Sequence, residues 1–424
     1  MPGAKQDLST LNPTPEQTSP QSAQTAAPPG KALARTLRGM LALTDFEEPA
    51  RRYLPRPIFG YVSGGAETDA TLRGNRAAFA ELTFVPRVLV NTSERTMKTT
   101  IFGRTYDAPF GFSPMGGISM AAYRGDLVFA RAAAEANIPM ILSGSALTPL
   151  ERVKETGRTA WFQAYLPGEI DPITNLVNRV ARAGYETLCL TVDVPVPANR
   201  ENNVRSGFHT PLRPSLRLAW DCSLRPRWLV GMFARTMLVD GMPHYENMIN
   251  RAPLFAKKAE RERGPRDKLS WSHLELMRRM WKGRLVIKGI LNKQDVRIAR
   301  ESGVDGIIVS NHGGRQLDFT VAPLRVLPGI VAEAGGMTVM MDSGVRRGTD
   351  VLKALALGAQ FVFIGRPFLY AAAIGGEAGM RHAIKLLKDE IDRDMAQLGI
   401  TSLAEMKREL LMDAHSFDGF GSGS

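Results

Sequence analysis

Cysteine is nearly missing from this 424-residue chain: Cys189 and Cys222 are the only two. Two thiols cannot build a disulfide framework, so a hydrophobic core must hold the fold and a reducing compartment fits. Cys189 lies inside an apolar run and reads as a buried thiol. No uninterrupted apolar stretch is long enough to span a bilayer. The N-terminus lacks a basic start followed by an apolar segment, so no secretory signal is expected. Acidic residues are outnumbered, 42 against 54 Lys and Arg, which leaves a net charge of +12 and a sequence pI of about 9.8. That balance suits acidic metabolites, lipid headgroups or nucleic acid, or simply a solvated basic surface. Two signatures are also missing. No G-x-G-x-x-G follows the first candidate strand, which argues against an open dinucleotide-binding sheet. No Cys-x-x-Cys-His occurs, so no cytochrome signature is present.

What is there is globular: 44% hydrophobic and 23% charged residues, with ample length for a large core. Residues 1–35 are rich in Pro, Thr, Gln, Ser and Ala and predict a disordered extension. Residues 413–424 predict a flexible tail. Between them, over 36–412, short apolar runs alternate with segments of helical period. The candidate strands are Phe110–Ser113, Met140–Ser143, Ala160–Tyr165, Thr187–Asp193, Arg284–Lys288, Gly306–Ser310, Thr338–Asp342 and Phe361–Gly365. Amphipathic stretches such as Asp126–Ala136, Ile173–Ala183, Lys293–Glu301 and Asp350–Leu357 lie between them. Eight β/α units in a row predict an α/β fold of the (β/α)8, or TIM-barrel, type, with an insertion after strand 4.

That insertion, about 204–270, breaks the rhythm and must sit on the barrel's C-terminal face. Arg213, Arg217, Arg225, Arg227 and Arg235 are interleaved with Leu216, Leu218, Trp220, Trp228, Leu229, Met232 and Phe233. Basic residues among tryptophans suit a membrane interface; a lid or an oligomer contact is the other reading. Lys257 to Lys268 is densely charged and reads as a solvated helix or loop.

Active sites of such barrels form at the C-terminal strand ends. The sixth strand leads into Ser310-Asn311-His312-Gly313-Gly314-Arg315-Gln316-Leu317-Asp318. Here a proton acceptor, two glycines that permit close approach, and a planar guanidinium suited to a carboxylate share one loop. The fourth strand ends at Thr191 and Asp193, the fifth at Lys288, the seventh at Asp342 and Ser343, the eighth at Gly365 and Arg366. His312 is expected as the base and Asp193 as the carboxylate that orients it. Lys288 should point to the barrel centre and face negative charge, with a Schiff-base role and a structural ion pair as rivals. Glycine amides and arginines after strands seven and eight, Ser343-Gly344-Val345-Arg346 and Gly365-Arg366, suit a phosphate. No metal site is expected.

The nine-residue stretch closely resembles the signature of the FMN-dependent α-hydroxy-acid dehydrogenases and oxidases. Further motifs match in order from about Phe46 to Ala414. Tyr61-Val62-Ser63-Gly64-Gly65-Ala66 resembles the family's N-terminal tyrosine motif. Ser113-Pro114-Met115-Gly116 resembles the loop lying along the isoalloxazine. The resemblance implies FMN as cofactor, with Pro114, Met115, Gly116, Ser143, Gln163, Thr191, Lys288 and Ser310 toward its ring. It places Asp342, Ser343, Gly344, Arg346, Gly365 and Arg366 at the ribityl and phosphate. It implies oxidation of an L-2-hydroxy acid to the 2-oxo acid. Arg315 and Tyr61 would hold the substrate carboxylate, Arg200 would assist at the mouth, Tyr165 would bind the hydroxyl, and His312 would take a proton.

Two positions bear on subtype within that resemblance. Gly116 stands where the dehydrogenases tend to have glycine and the oxidases alanine. Ser145 stands where glycolate oxidase has tryptophan, which leaves room for lactate or a bulkier substrate such as mandelate. The insertion resembles the membrane-binding segment of bacterial mandelate and lactate dehydrogenases. The expectation is a homo-oligomeric dehydrogenase that passes electrons to quinone or another acceptor. It would be cytoplasmic and peripheral on the inner face of the inner membrane, and nucleic acid is not expected as a partner. The rivals are a hydrogen-peroxide-forming oxidase and, from another class, a non-catalytic basic barrel binding lipid or nucleic acid.

Overall fold

Eight short strands close into a parallel barrel in a computed structural model that describes residues 35–209, 214–248, 251–255 and 266–414. They are β1 (Phe110–Phe112), β2 (Met140–Ser143), β3 (Ala160–Ala164), β4 (Thr187–Thr191), β5 (Arg284–Ile290), β6 (Gly306–Val309), β7 (Thr338–Met341) and β8 (Phe361–Ile364). They pair in chain order, and β8 closes the ring on β1 through Val362 opposite Phe110 and Ile364 opposite Phe112. All eight are the expected ones, and each is buried on both sides, as strands of a parallel barrel must be.

Helices follow the strands and cover the outside: α1 (Gly125–Glu135), α2 (Leu150–Thr156), α3 (Ile170–Arg182), α4 (Trp271–Met280), α5 (Lys293–Glu301), α6 (Pro323–Glu333), α7 (Gly348–Ala356) and α8 (Arg366–Leu398), the last bent at Gly376. The period-two alternation of each strand divides the core in two. Leu142, Phe162, Leu190, Ile287, Val309 and Met341 face the helices. Ile141, Trp161, Cys189, Val286, Ile308, Met340, Phe361 and Phe363 fill the barrel. Burial pushes the Cys189 thiol up to about 12, so it behaves as a small apolar side chain.

The N-terminal mouth is plugged. A hairpin, Thr99–Ile101 with Arg104–Tyr106, turns through Phe102 and Gly103, both at positive φ. It lays Ile101 and Tyr106 onto the interior cluster. A second short pair, Leu82–Phe84 with Leu411–Asp413, joins the two ends of the chain. Ala414 also donates to the Glu81 carbonyl at 2.8 Å, so pairing takes in the first two residues, Asp413 and Ala414, of the expected tail. Most of the expected N-terminal extension and C-terminal tail falls outside the described residues, as do Arg213 and most of 257–268.

The insertion after β4 carries short helices at Leu216–Ser223 and Arg235–Val239 joined through a π-helical turn, and a small hairpin at His244–Tyr245 and Ala252–Pro253. Two of its expected interface residues turn inward. Trp228 is 4% exposed, and its indole N–H donates to the Met120 carbonyl at 3.1 Å. Met232 is buried with it. Arg235 stands 4.0 Å over the Tyr123 ring, and Arg217 and Arg225 donate to backbone carbonyls. Leu216, Trp220, Leu224, Val230, Leu238 and Val239 stay exposed and give the segment an apolar outer surface. Among the described residues no helix is long and apolar enough to cross a membrane.

Candidate active site

Strand ends and loops meet at the C-terminal mouth in one cleft. Its lining includes Tyr61, Pro114, Met115, Gly116, Tyr165, Arg200, Lys288, His312, Arg315, Asp342, Ser343, Gly344, Arg346, Gly365 and Arg366. Ser143, Gln163, Thr191, Asp193 and Ser310 do not line it. Asp193 contacts His312, and the other four are buried at the strand ends.

The base is held by its own loop. His312 has φ 57°, and Gly313 and Gly314 follow at 67° and 76°. Three successive left-handed residues fold the chain tightly, and a histidine there is uncommon enough to imply support from its surroundings. That support comes from Ser310 Oγ, which accepts from the His312 amide at 3.0 Å, and Ser343 Oγ, which accepts from the Gly313 amide at 3.0 Å. A reciprocal amide pair between Asn311 and Asn75 anchors the loop from below.

His312 Nδ1 lies 2.8 Å from Asp193 Oδ1, and Nε2 lies 3.4 Å from the Tyr165 hydroxyl. Burial pushes the imidazole below its ordinary value, although the Asp193 carboxylate pulls the other way. For Asp193 burial works against the charge, but His312 and Lys288 outweigh it and keep the carboxylate ionised. The ring is therefore neutral near pH 7. Asp193 accepts from Nδ1–H, so the lone pair sits on Nε2 and faces the cleft. Gly289 makes room for this pair: its φ is 111°, and a Cβ there would lie 2.6 Å from the Asp193 Cβ.

Lys288 is 3% exposed. Its Nζ reaches Asp342 Oδ2 at 3.1 Å and Ser310 Oγ at 2.7 Å. Burial opposes its charge, but Asp342 and Asp193 more than compensate and raise its pKa. The ion pair named as a rival reading is thus present, and the other rival, a Schiff-base role that needs a neutral amine, is disfavoured.

The guanidiniums are less well compensated. Arg315, Arg346 and Arg366 have no carboxylate within ion-pair distance among the described residues. Arg315 donates to the Gly64 carbonyl at 2.8 Å and stands 5.1 Å from the Tyr61 ring centre. Burial, then Arg200 and Arg366, lower its pKa to about 9. Burial, then Arg366, lower that of Arg346 to about 10. Arg366 donates to the carbonyls of Val62, Gly313 and Gly64. With Arg346 buried, Arg315 and Arg366 half-buried, and no carboxylate in ion-pair contact with them among the described residues, the cluster favours an arriving anion. Arg200 braces the loop by donating to the Arg315 carbonyl at 3.0 Å and to Gln316.

Some of the wall is absent from the sequence reading. Phe208 stacks on Tyr61 at 4.4 Å, Arg266 stands 4.5 Å over the Tyr165 ring, and Tyr245 adds a buried face. All three come from the region after β4, where no strand or helix period marked them. Asp318 closes the nine-residue stretch without reaching the cleft. It accepts from Thr68 Oγ1 and from the amides of Thr68, Ala70 and Thr71, capping the helix Ala70–Ala80 from about 250 residues away.

Fold and site together define a class: an α/β-barrel enzyme whose mouth sets a carboxylate-backed imidazole beside places for two anions. The chain belongs to the FMN-dependent dehydrogenase family, whose model matches residues 50–413. An L-lactate dehydrogenase of Pseudomonas entomophila (strain L48) is 38% identical over 375 residues, covering 88% of this chain and 98% of that protein. One from Yersinia pestis (strain Pestoides F) is 38% identical over 379 residues, covering 87% and 97%. Among solved structures, the monotopic membrane protein (S)-mandelate dehydrogenase superposes with a TM-score of 0.84 at 34% identity, covering 88% of this chain and all of that one. A mandelate oxidase superposes at 0.73 with 33% identity, covering 88% and 98%.

The residues present fit FMN. Two guanidiniums without an ion-pair carboxylate among the described residues, Arg346 buried and Arg366 half-buried, suit its phosphate. Thr191 Oγ1 is buried at the end of β4 without a hydrogen-bond partner and suits a polar ring edge.

Proposed function

We propose that the chain oxidises an L-2-hydroxy acid to the 2-oxo acid, with the roles expected from the sequence carried by the cleft residues. Arg315, with Tyr61 and Arg200 beside it, binds the substrate carboxylate. Tyr165 donates to the hydroxyl, and His312 Nε2 takes a proton. Asp193 stabilises the imidazolium that forms. Pro114, Met115, Gly116 and Lys288 in the cleft wall would hold the flavin ring, with Ser143, Gln163, Thr191 and Ser310 at the strand ends behind them. Asp342, Ser343, Gly344, Arg346, Gly365 and Arg366 would hold the ribityl and phosphate. FMN supplies the two-electron acceptor. Lys288, kept protonated by Asp342, offers positive charge beside it.

The single observation that carries the reading is the neutral, carboxylate-backed His312 opening onto the same cleft as the uncompensated guanidinium of Arg315. Ser145 leaves space for a side chain larger than a methyl group, so lactate and mandelate are both candidate substrates. Purified protein should be yellow, and one of these L-acids should bleach it without oxygen. The His312→Ala protein should keep its flavin and lose the bleaching rate by about 10²–10⁴-fold. Unchanged bleaching would remove the base assignment.

For the acceptor, quinone is favoured by Gly116 and by the apolar outer surface of the insertion, which would rest on a membrane from the cytoplasmic side. A Cβ at position 116 would come within 2.9 Å of the Ser145 Cβ, so the alanine associated with oxidases does not fit this loop as it stands. Turnover with a quinone analogue should exceed turnover with oxygen.

A further inference from the structure

The opposite mouth of the barrel holds a second cavity, about 550 Å³, at the N-terminal ends of β3, β4 and β5. Its floor is aromatic, with Trp161, Tyr106 and Phe102. Six cations line it against two carboxylates, Glu186 and Asp305. Asp305 is already engaged by Arg278 at 2.7 Å and Arg284 at 2.9 Å. The other four cations, Arg104, Lys154, Arg158 and Lys282, have no carboxylate within ion-pair distance among the described residues.

These four are not all free on the surface. Arg104 is half-buried, donates to the Arg158 carbonyl at 3.2 Å and stands 5.6 Å from the Tyr106 ring centre. Lys154 is half-buried over the Tyr185 ring at 5.3 Å. The independent sign of a ligand is Thr159. It lines the cavity and is 4% exposed, and its Oγ1 has no hydrogen-bond partner. A buried hydroxyl left unsatisfied beside unpaired cations calls for an acceptor. An oxyanion satisfies the hydroxyl and the cations together.

We propose that this cavity binds a small multivalent oxyanion, either a phosphorylated metabolite or a polycarboxylate. Thr159 Oγ1 donates to it, and Arg104, Lys154, Arg158 and Lys282 supply the charge. The ligand would bridge the hairpin, α2 and the turn before β5, three segments that meet at the rim. It would sit under the same three strands whose far ends present Tyr165, Asp193 and Lys288. The cavity's size and aromatic floor favour a compact ligand over a polymer, which would need an open basic track.

The test is calorimetric titration of the FMN-loaded, full-length protein, with the hydroxy-acid site filled by saturating 2-oxo acid. Inorganic pyrophosphate and citrate are the two probes. One saturable site is expected for at least one of them, and the tighter probe identifies the source. Thr159→Val should weaken it by about 5–10-fold, and the Arg158→Ala/Lys282→Ala pair by about 10-fold or more. Thr159→Ser should restore binding. Flavin content and kcat should stay unchanged in every variant, which separates this proposal from the catalytic one. No saturable uptake of either probe, equal affinity in the variants, or binding of nucleic acid alone would overturn it.

Discussion

The two mouths of one barrel both carry cations without an ion-pair carboxylate among the described residues, but they differ in what lies beneath. The N-terminal mouth has a packed aromatic floor under its basic cavity. Ile101 and Tyr106 of the hairpin sit on Trp161, Phe361 and Phe363, and Asp305 neutralises Arg278 and Arg284 at the rim. The C-terminal mouth is held open by polar scaffolding. Among the described residues Arg315, Arg346 and Arg366 have no carboxylate in ion-pair contact, Thr191 Oγ1 and Asp193 Oδ2 lack partners, and His312 and Ser343 sit at positive φ. Features that would be defects in a core gather where ligands must bind. The difference teaches that stability and chemistry in this molecule are separable along the barrel axis.

The largest effect should come from breaking the packed end. Trp161→Ala empties a packed site inside the barrel and should cost about 3–5 kcal/mol of stability, measured by denaturant unfolding. Turnover per folded molecule should barely change; a large loss would mean that the two ends are coupled. Next, Arg315→Lys at the open end should cut kcat/KM by about 10²-fold, because an ammonium cannot offer the planar fork. The unfolding midpoint should hardly move, and a comparable loss of stability would show that Arg315 is a structural clamp. Asp193→Asn should lower turnover as well, because the imidazolium loses its counter-charge, and its distinguishing sign is a modest shift in the pH profile. Burial already lowers the His312 pKa and Asp193 opposes that drop. Without the carboxylate the pKa falls further. Activity is lost on acidification as the base takes up a proton, so the acidic limb of the pH–rate profile should move to lower pH. An upward move would reverse the assigned electrostatics.

The closed barrel was legible because strands buried on both faces read as uninterrupted apolar runs. The strand ends were less so. Ser113, Tyr165, Asp193, Ser310, Asp342 and Gly365 were expected inside strands, yet each lies beyond the last paired residue. Ser113 and Asp342 still donate backbone hydrogen bonds to the carbonyls of Ile364 and Val309, so the ladder fades over these residues rather than stopping at a sharp edge. β5 differs, running on to Ile290 with its register shifted at Gly289. The imidazole, its carboxylate and the arginines were legible because they sit at fixed offsets from those ends. Phe208, Tyr245 and Arg266 were not. They reach the cleft from irregular chain, and Arg266 was hidden in a run that reads as solvated charge. The direction of Trp228 was left open for a related reason: composition shows that an indole is present, while which way it turns depends on packing at Met120.

Asp318 has a consequence for how such a molecule is made. The loop bearing the base is fastened to a helix near the beginning of the chain by donors about 250 residues upstream. Closing so long a connection is slow, and it becomes possible only after six strands have been synthesised. A nascent chain can therefore gather much of its barrel while its reactive histidine is still unplaced. Competence to react arrives late, as a by-product of the two halves finding each other.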